Sequence, residues 1–129
     1  MYRRLTFGAA LAAAVSLSGP AVAGAGDYVF EPVKAEVKKG DVTVAVRLIH
    51  KTTKKPVADA VIVRTRIDMA PDGMAEMASS LTALPSPEPG VYAFKTELSM
   101  AGRWLFTIQA KVQGEPETVT GEVTFRATR

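Results

Sequence analysis

The sequence has 129 residues, a length typical of one domain. It contains no cysteine, which excludes disulfides, thiolate nucleophiles and thiolate metal ligands. Its formal net charge of +3 comes from 16 Lys and Arg against 13 Asp and Glu. Without the two arginines near the N-terminus, 14 basic residues face 13 acidic ones, a net charge of +1. Because no basic patch interleaved with aromatic residues remains, nucleic acid is not an expected partner.

The first 23 residues have the layout of a secretory signal peptide. Arg3 and Arg4 form a basic start, residues 5–17 are an apolar run, and small residues precede the expected cleavage after Ala23. The apolar run is shorter than the ~20 residues that a membrane span needs. We therefore predict a cleaved signal peptide over 1–23, a mature domain over 24–129, and no membrane span after signal cleavage. Sec and twin-arginine export remain open alternatives.

The mature sequence alternates between apolar and polar residues in short runs, the pattern of half-buried β-strands. It places Val61, Val63 and Ile67 on one inward face, and Trp104 between two sheets. Segments rich in Gly and Pro separate the runs. Strands are expected at 33–38, 42–49, 60–68, 80–84, 91–97, 103–112 and 118–127. This number and spacing predict an all-β fold, an immunoglobulin-like antiparallel β-sandwich of six to seven strands. A small barrel is the alternative.

The groups that acid–base or nucleophilic catalysis requires are scarce in this sequence. The single histidine, His50, follows an apolar run and begins a Lys/Thr-rich turn. No GxSxG motif and no phosphate-binding glycine loop is present. We therefore expect that the protein is not an enzyme.

Four methionines follow the signal segment, and all are predicted to lie at strand ends or in loops, outside the apolar stripes. They are Met69, Met74, Met77 and Met100. Two interpretations remain open. The methionines could fold onto the rim of the core as gap-fillers, or their thioethers could bind Cu(I), a soft ion that thioether sulfur favours without deprotonation.

The strand order decides whether the four sulfurs can meet. If a strand covers 80–84, the loop after residue 68 and the loop before residue 103 lie at the same end of the sandwich. His50 then lies at the opposite end. Asp68 and Asp72 could add oxygen ligands if the ion is Cu(II).

Three segments resemble the FixH/YtkA-like family of small periplasmic immunoglobulin-like domains. They are VRLIHKTTKKPVADAVI, DMAPDGMAEM and PGVYAFKTELSMAGRWLFTI. The resemblance runs from about Asp41 to Arg126. Its most specific part places Gly90 and Tyr92 ahead of one strand, with Gly102 and Trp104 opening the next.

The resemblance implies a non-enzymatic periplasmic domain associated with heavy-metal or copper efflux, or with assembly of copper oxidases. Related domains often carry methionines at the positions of Met69 and Met74. The expected function is therefore binding or delivery of copper, Cu(I), by a methionine-rich loop, with metal ions and efflux-complex or oxidase-assembly proteins as partners. The alternative is an interaction module that binds no metal. FixH proper is membrane-anchored, whereas the N-terminal segment here has a cleavable pattern.

Overall fold

The computed structural model describes residues 25–129, so the predicted signal peptide lies outside the described part. Between these limits the chain forms nine β-strands. They are β1 Tyr28–Pro32, β2 Glu36–Lys38, β3 Gly40–His50, β4 Val61–Met69, β5 Met74–Ser79, β6 Leu81–Ala83, β7 Val91–Leu98, β8 Gly102–Lys111 and β9 Val119–Thr128. Two 3-10 turns, Ala25–Asp27 and Ala70–Asp72, complete the elements. No helix within residues 25–129 is long and apolar enough to cross a membrane.

The strands form two sheets that pack face to face. One sheet has the order β1-β3-β7-β6 and the other β2-β9-β8-β4-β5. All neighbours pair antiparallel except β2 and β9. The prediction of an all-β immunoglobulin-like sandwich is confirmed.

Two of the nine strands were not expected from the sequence. Strand β1 precedes the first predicted strand. Strand β5 has the sequence MAEMAS, which lacks the β-branched and aromatic residues typical of strands. It is a strand because it pairs with the end of β4, so tertiary pairing overrides its weak propensity.

The core lies between the inward faces of β3 and β7 on one side and β8 and β9 on the other. Trp104 and Phe106 of β8 are fully buried, as the alternation predicted. The rings of Phe94 and Phe106 pack across the sandwich with centroids 5.3 Å apart. Burial of such large side chains is the main stabilising term for a chain without disulfides.

Strand β4 is the exception to the predicted inward faces. Ile67 is fully buried, but Val61 and Val63 keep 63% and 48% of their surface exposed. The sequence prediction for these two valines is therefore wrong.

A β-bulge explains the exposed valines. Ile62 pairs with Ala110 of β8, and Arg64 pairs with the adjacent Gln109, so Val63 is an extra residue without its own partner. Because side chains alternate between the two faces of a strand, one inserted residue exchanges the faces that the preceding side chains occupy. Ile62 takes the half-buried position in place of Val61.

The hydroxyl of Tyr92 holds the connection between β3 and β4. It donates to the carbonyl oxygen of Val57 at 2.6 Å and accepts the N–H of Ala60 at 3.1 Å. Burial raises the pKa of the Tyr92 hydroxyl. Tyr92, one of the residues that carry the family resemblance, therefore fixes the path of the chain into β4.

We predict that Tyr92→Phe lowers the free energy of unfolding by about 1–3 kcal/mol, because it removes two hydrogen bonds between half-buried groups, each worth about 0.5–1.5 kcal/mol. Urea unfolding followed by tryptophan fluorescence measures the change. The denaturant slope should stay constant, which would show that the folded state itself is preserved. An unchanged midpoint would contradict a structural role for the two hydrogen bonds.

Candidate functional site

The pairing of β4 with β8 brings two distant segments to one end of the sandwich. Asp68, next to last in β4, pairs with Leu105 near the start of β8. The turn after β4 therefore lies beside the turn that precedes β8, which carries Met100. We call this region, with Met69, Met74, Met77 and Met100, the methionine end.

His50 lies at the other end of the sandwich. It is the last residue of β3, whereas the first residue, Gly40, pairs with Leu98 beside the Met100 turn. The His50 ring meets Tyr28 edge-on, with centroids 5.1 Å apart. This histidine is separated from the methionine end by the full length of β3.

Met69 is part of the hydrophobic core. It is the last residue of β4, is fully buried, and belongs to the same apolar cluster as Trp104. A Cβ atom added to Gly102 would lie 2.6 Å from the Met69 Cε, so the thioether packs directly against the Gly102 backbone. Met69 lies at a strand end, as predicted, but its side chain is buried in the core, in line with the gap-filler interpretation for this residue.

The other three methionines remain partly accessible. Met74 pairs with Met69 across β4 and β5, and Met77 lies within β5 rather than in a loop. Both are half-buried and pack against the core. Met100 is 40% exposed, and its carbonyl oxygen accepts the indole N–H of Trp104 at 3.1 Å. This bond anchors the turn to a buried ring.

The two aspartates near these methionines are engaged by the protein itself. Asp68 is buried, contacts the Nε of Arg66 at 2.7 Å, and accepts the N–H of Ala70. Asp72 accepts both the backbone N–H and the Nε–H of Arg103 at 2.8 Å. Within residues 25–129, no three His, Cys, Asp or Glu side chains are grouped so that they could hold a metal ion.

The pair Asp72 and Arg103 holds the turn after β4 onto β8. The two residues are 31 positions apart, and nothing in the sequence pattern indicates the contact. Arg103 also donates from Nη2 to the carbonyl oxygen of Pro71 at 2.7 Å. Gly102, at φ +142°, leaves room for the Asp72 carboxylate, which a Cβ there would meet at 2.6 Å. The hydrogen bonds from the Arg103 backbone and then its side chain hold the pKa of Asp72 below its usual range.

This lowered pKa predicts a pH dependence. The contribution of Asp72 to stability is present above the unfolded-state pKa of ~3.9 and is lost as the pH falls through the lower folded-state pKa. Urea midpoints measured from pH 6 down to pH 2.5 should fall less steeply below pH 4 in Asp72→Asn than in the parent. Asp41→Asn, which changes an exposed carboxylate of β3, should follow the parent curve. Identical curves for parent and Asp72→Asn would contradict the role of the pair.

No curated protein matches this chain. The fold is similar to the ZirS C-terminal domain, with 12% identity and a TM-score of 0.47 over 92% of this chain and 87% of the other. It is also similar to the Lin-41 filamin domain, with 18% identity and a TM-score of 0.40 over 82% of this chain and 97% of the other.

A model of the YtkA-like family matches residues 22–109. The match begins earlier and ends earlier than the span from about Asp41 to Arg126 that the sequence resemblance suggested. It covers more than half of the chain, and the predicted family is confirmed. This chain belongs to the YtkA-like family.

Proposed function

We propose that the protein is a non-enzymatic periplasmic accessory domain that binds Cu(I) through thioethers of the methionine end. The observation that carries the proposal is topological. Methionines from two segments far apart in sequence lie at one end because β4 pairs with β8. Three of them, Met74, Met77 and Met100, keep part of their surface accessible.

The chemistry of this end favours a soft ion. Thioether sulfur selects Cu(I) and binds poorly to Mg²⁺ or Ca²⁺. The nearby carboxylates of Asp68 and Asp72 are hydrogen-bonded within the protein, so hard oxygen ligands would have to be released first. Met69 is enclosed, and we assign it to packing behind the three accessible methionines.

The proposed compartment follows from the N-terminal sequence and the composition. The pattern over residues 1–23 is that of an export signal. In an oxidising compartment, cysteine thiols are drawn into disulfides, whereas methionine keeps its ligand atom. A domain that transfers Cu(I) there, to an efflux complex or an oxidase under assembly, would use methionine for this reason.

The proposal is tested by anaerobic titration of the purified protein with Cu(I) in competition with a chromophoric chelator. We expect saturable binding in the parent. The triple variant Met74→Leu, Met77→Leu and Met100→Leu should weaken binding by at least ~10-fold, the equivalent of 1.4 kcal/mol. Leucine nearly conserves volume, so the stability cost should stay below ~1.5 kcal/mol per site.

The single variant Met69→Leu is the matched control, because it removes a thioether from the core and leaves the accessible ones in place. Its affinity should equal that of the parent. Binding that survives the triple variant would remove the accessible methionines as the site. Absence of binding in the parent would overturn the copper proposal.

A second candidate function is supported by the exposure of Met100. Methionine-rich surfaces adapt to different protein partners because the side chain is flexible and polarisable. The same accessible methionines could then form a contact surface for an efflux or oxidase-assembly protein. Absence of Cu(I) binding in the titration would favour this candidate.

A further inference from the structure

The edge of the second sheet is only partly covered. Strand β5 pairs with β4 over Ile67, Asp68 and Met69. Before that point, Val61–Arg66 of β4 is hydrogen-bonded to β8 on one side and has no strand partner on the other in the described part of the chain. The chain then leaves this sheet, because β6 joins the edge of the opposite sheet.

An open groove runs between β4 and β6 at this place. Its volume is about 260 Å³, and its walls include Ile62 and Thr65 of β4 and Leu81 and Ala83 of β6. Phe94, which is buried, also lines the groove. The groove therefore joins an unpaired backbone edge to an apolar surface that is continuous with the core.

The residues beside the groove combine edge protection with apolar surface. Native proteins usually protect such edges with charges, short strands or bulges, and this edge has a bulge and the charges of Arg64 and Arg66. Here the bulge at Val63 turns two β-branched residues outward, so that Val61 and Val63 are 63% and 48% exposed. The bulge thereby leaves apolar contact area next to free backbone donors and acceptors.

We propose that this edge, residues Val61–Arg66 of β4, binds an extended segment of a partner protein that adds as a further strand beside β4. In this mode the main-chain hydrogen bonds supply affinity, and alternate side chains supply specificity. One set of side chains would cover Ile62 and enter the groove, and the other would lie on the outer face. This inference does not depend on the copper proposal, because it uses a different part of the molecule.

The free charge beside the edge favours an acidic segment. Arg64 is exposed and lines the groove, and its side chain makes no hydrogen bond or ion pair among the described residues. Arg66 is already engaged by Asp68 and the Ala75 carbonyl oxygen. Opposite charges on neighbouring strands attract, so the partner segment should alternate apolar residues with Glu or Asp.

The same charges disfavour a second copy of the chain as the occupant. If β4 paired with β4 of another molecule, the Arg64 and Arg66 side chains of both strands would share one face of the new ladder. Like charges on adjacent strands destabilise the pairing. A heterologous acidic segment meets no such repulsion.

The test uses NMR titration of the ¹⁵N-labelled protein with the synthetic peptide acetyl-Glu-Val-Glu-Val-Glu-Val-Glu-amide. We expect saturable shifts confined to residues 61–66 and 81–83. The same peptide with Lys in place of Glu should bind at least ~10-fold more weakly. A version that is N-methylated at alternate residues, which cannot complete the ladder, should not bind.

Charge reversal tests the specificity in the protein itself. Arg64→Glu should reverse the preference, so that the Lys peptide binds more tightly than the Glu peptide. Lys34→Glu, an exposed charge outside the edge, should leave the preference as in the parent. Absence of saturable shifts, equal binding of both charge types, or equal binding of the methylated peptide would overturn the proposal. If shifts at residues 61–66 grow with protein concentration in the absence of peptide, the edge pairs with a second copy of the chain and the proposal is wrong.

Discussion

The antiparallel pairing of β4 with β8 is the constraint on which the other features depend. Strand β8 carries the largest buried side chains, so its position in the sandwich is set by the core. Once β4 is registered against it, the turn after β4 must lie beside the turn before β8. The same pairing also contains the bulge at Val63, which decides the orientation of the residues that precede it. One ladder therefore determines both ends of β4, with different consequences at each end.

At the methionine end, this ladder divides four chemically identical side chains into two roles. Met69 is drawn into the core because it continues the inward face of β4 beyond Ile67. Met74, Met77 and Met100 lie on elements that only border the core, so they retain accessible surface. The ion pair between Asp72 and Arg103 then fastens the intervening turn to β8. The buried Met69 side chain therefore lies at the same end of the sandwich as the three accessible methionines.

At the opposite end of β4, one edge of the strand is unpaired in the described part of the chain, because β5 pairs only with the last residues of β4. Covering the full edge would require β5 to continue beside β4, but the chain crosses to the other sheet at β6 instead. The cost of an exposed edge is a risk of unwanted pairing, which the arginines of β4 reduce for like copies of the chain. Those same arginines favour segments of opposite charge. The two surfaces lie at different positions along β4.

The period-two alternation was sufficient to predict the sandwich and most of its core, because buried faces demand apolar side chains at every second position. Trp104, Phe106 and Ile108 follow this rule without interruption. Strand β5 could not be predicted in this way, because MAEMAS has neither the alternation nor the residue types of a strand and becomes one only through its neighbour. The family resemblance came from turn glycines and aromatic residues, which are local features of the sequence.

The sequence by itself determined the fold class, the family and the concentration of methionines around two turns. Only the tertiary structure decided that Met69 is enclosed, that Asp72 meets Arg103, and that Val61 and Val63 face outward. The physical reason is the same in each case. Local patterns encode which residues prefer burial, whereas strand register, bulges and contacts between distant turns depend on how separate segments pack together.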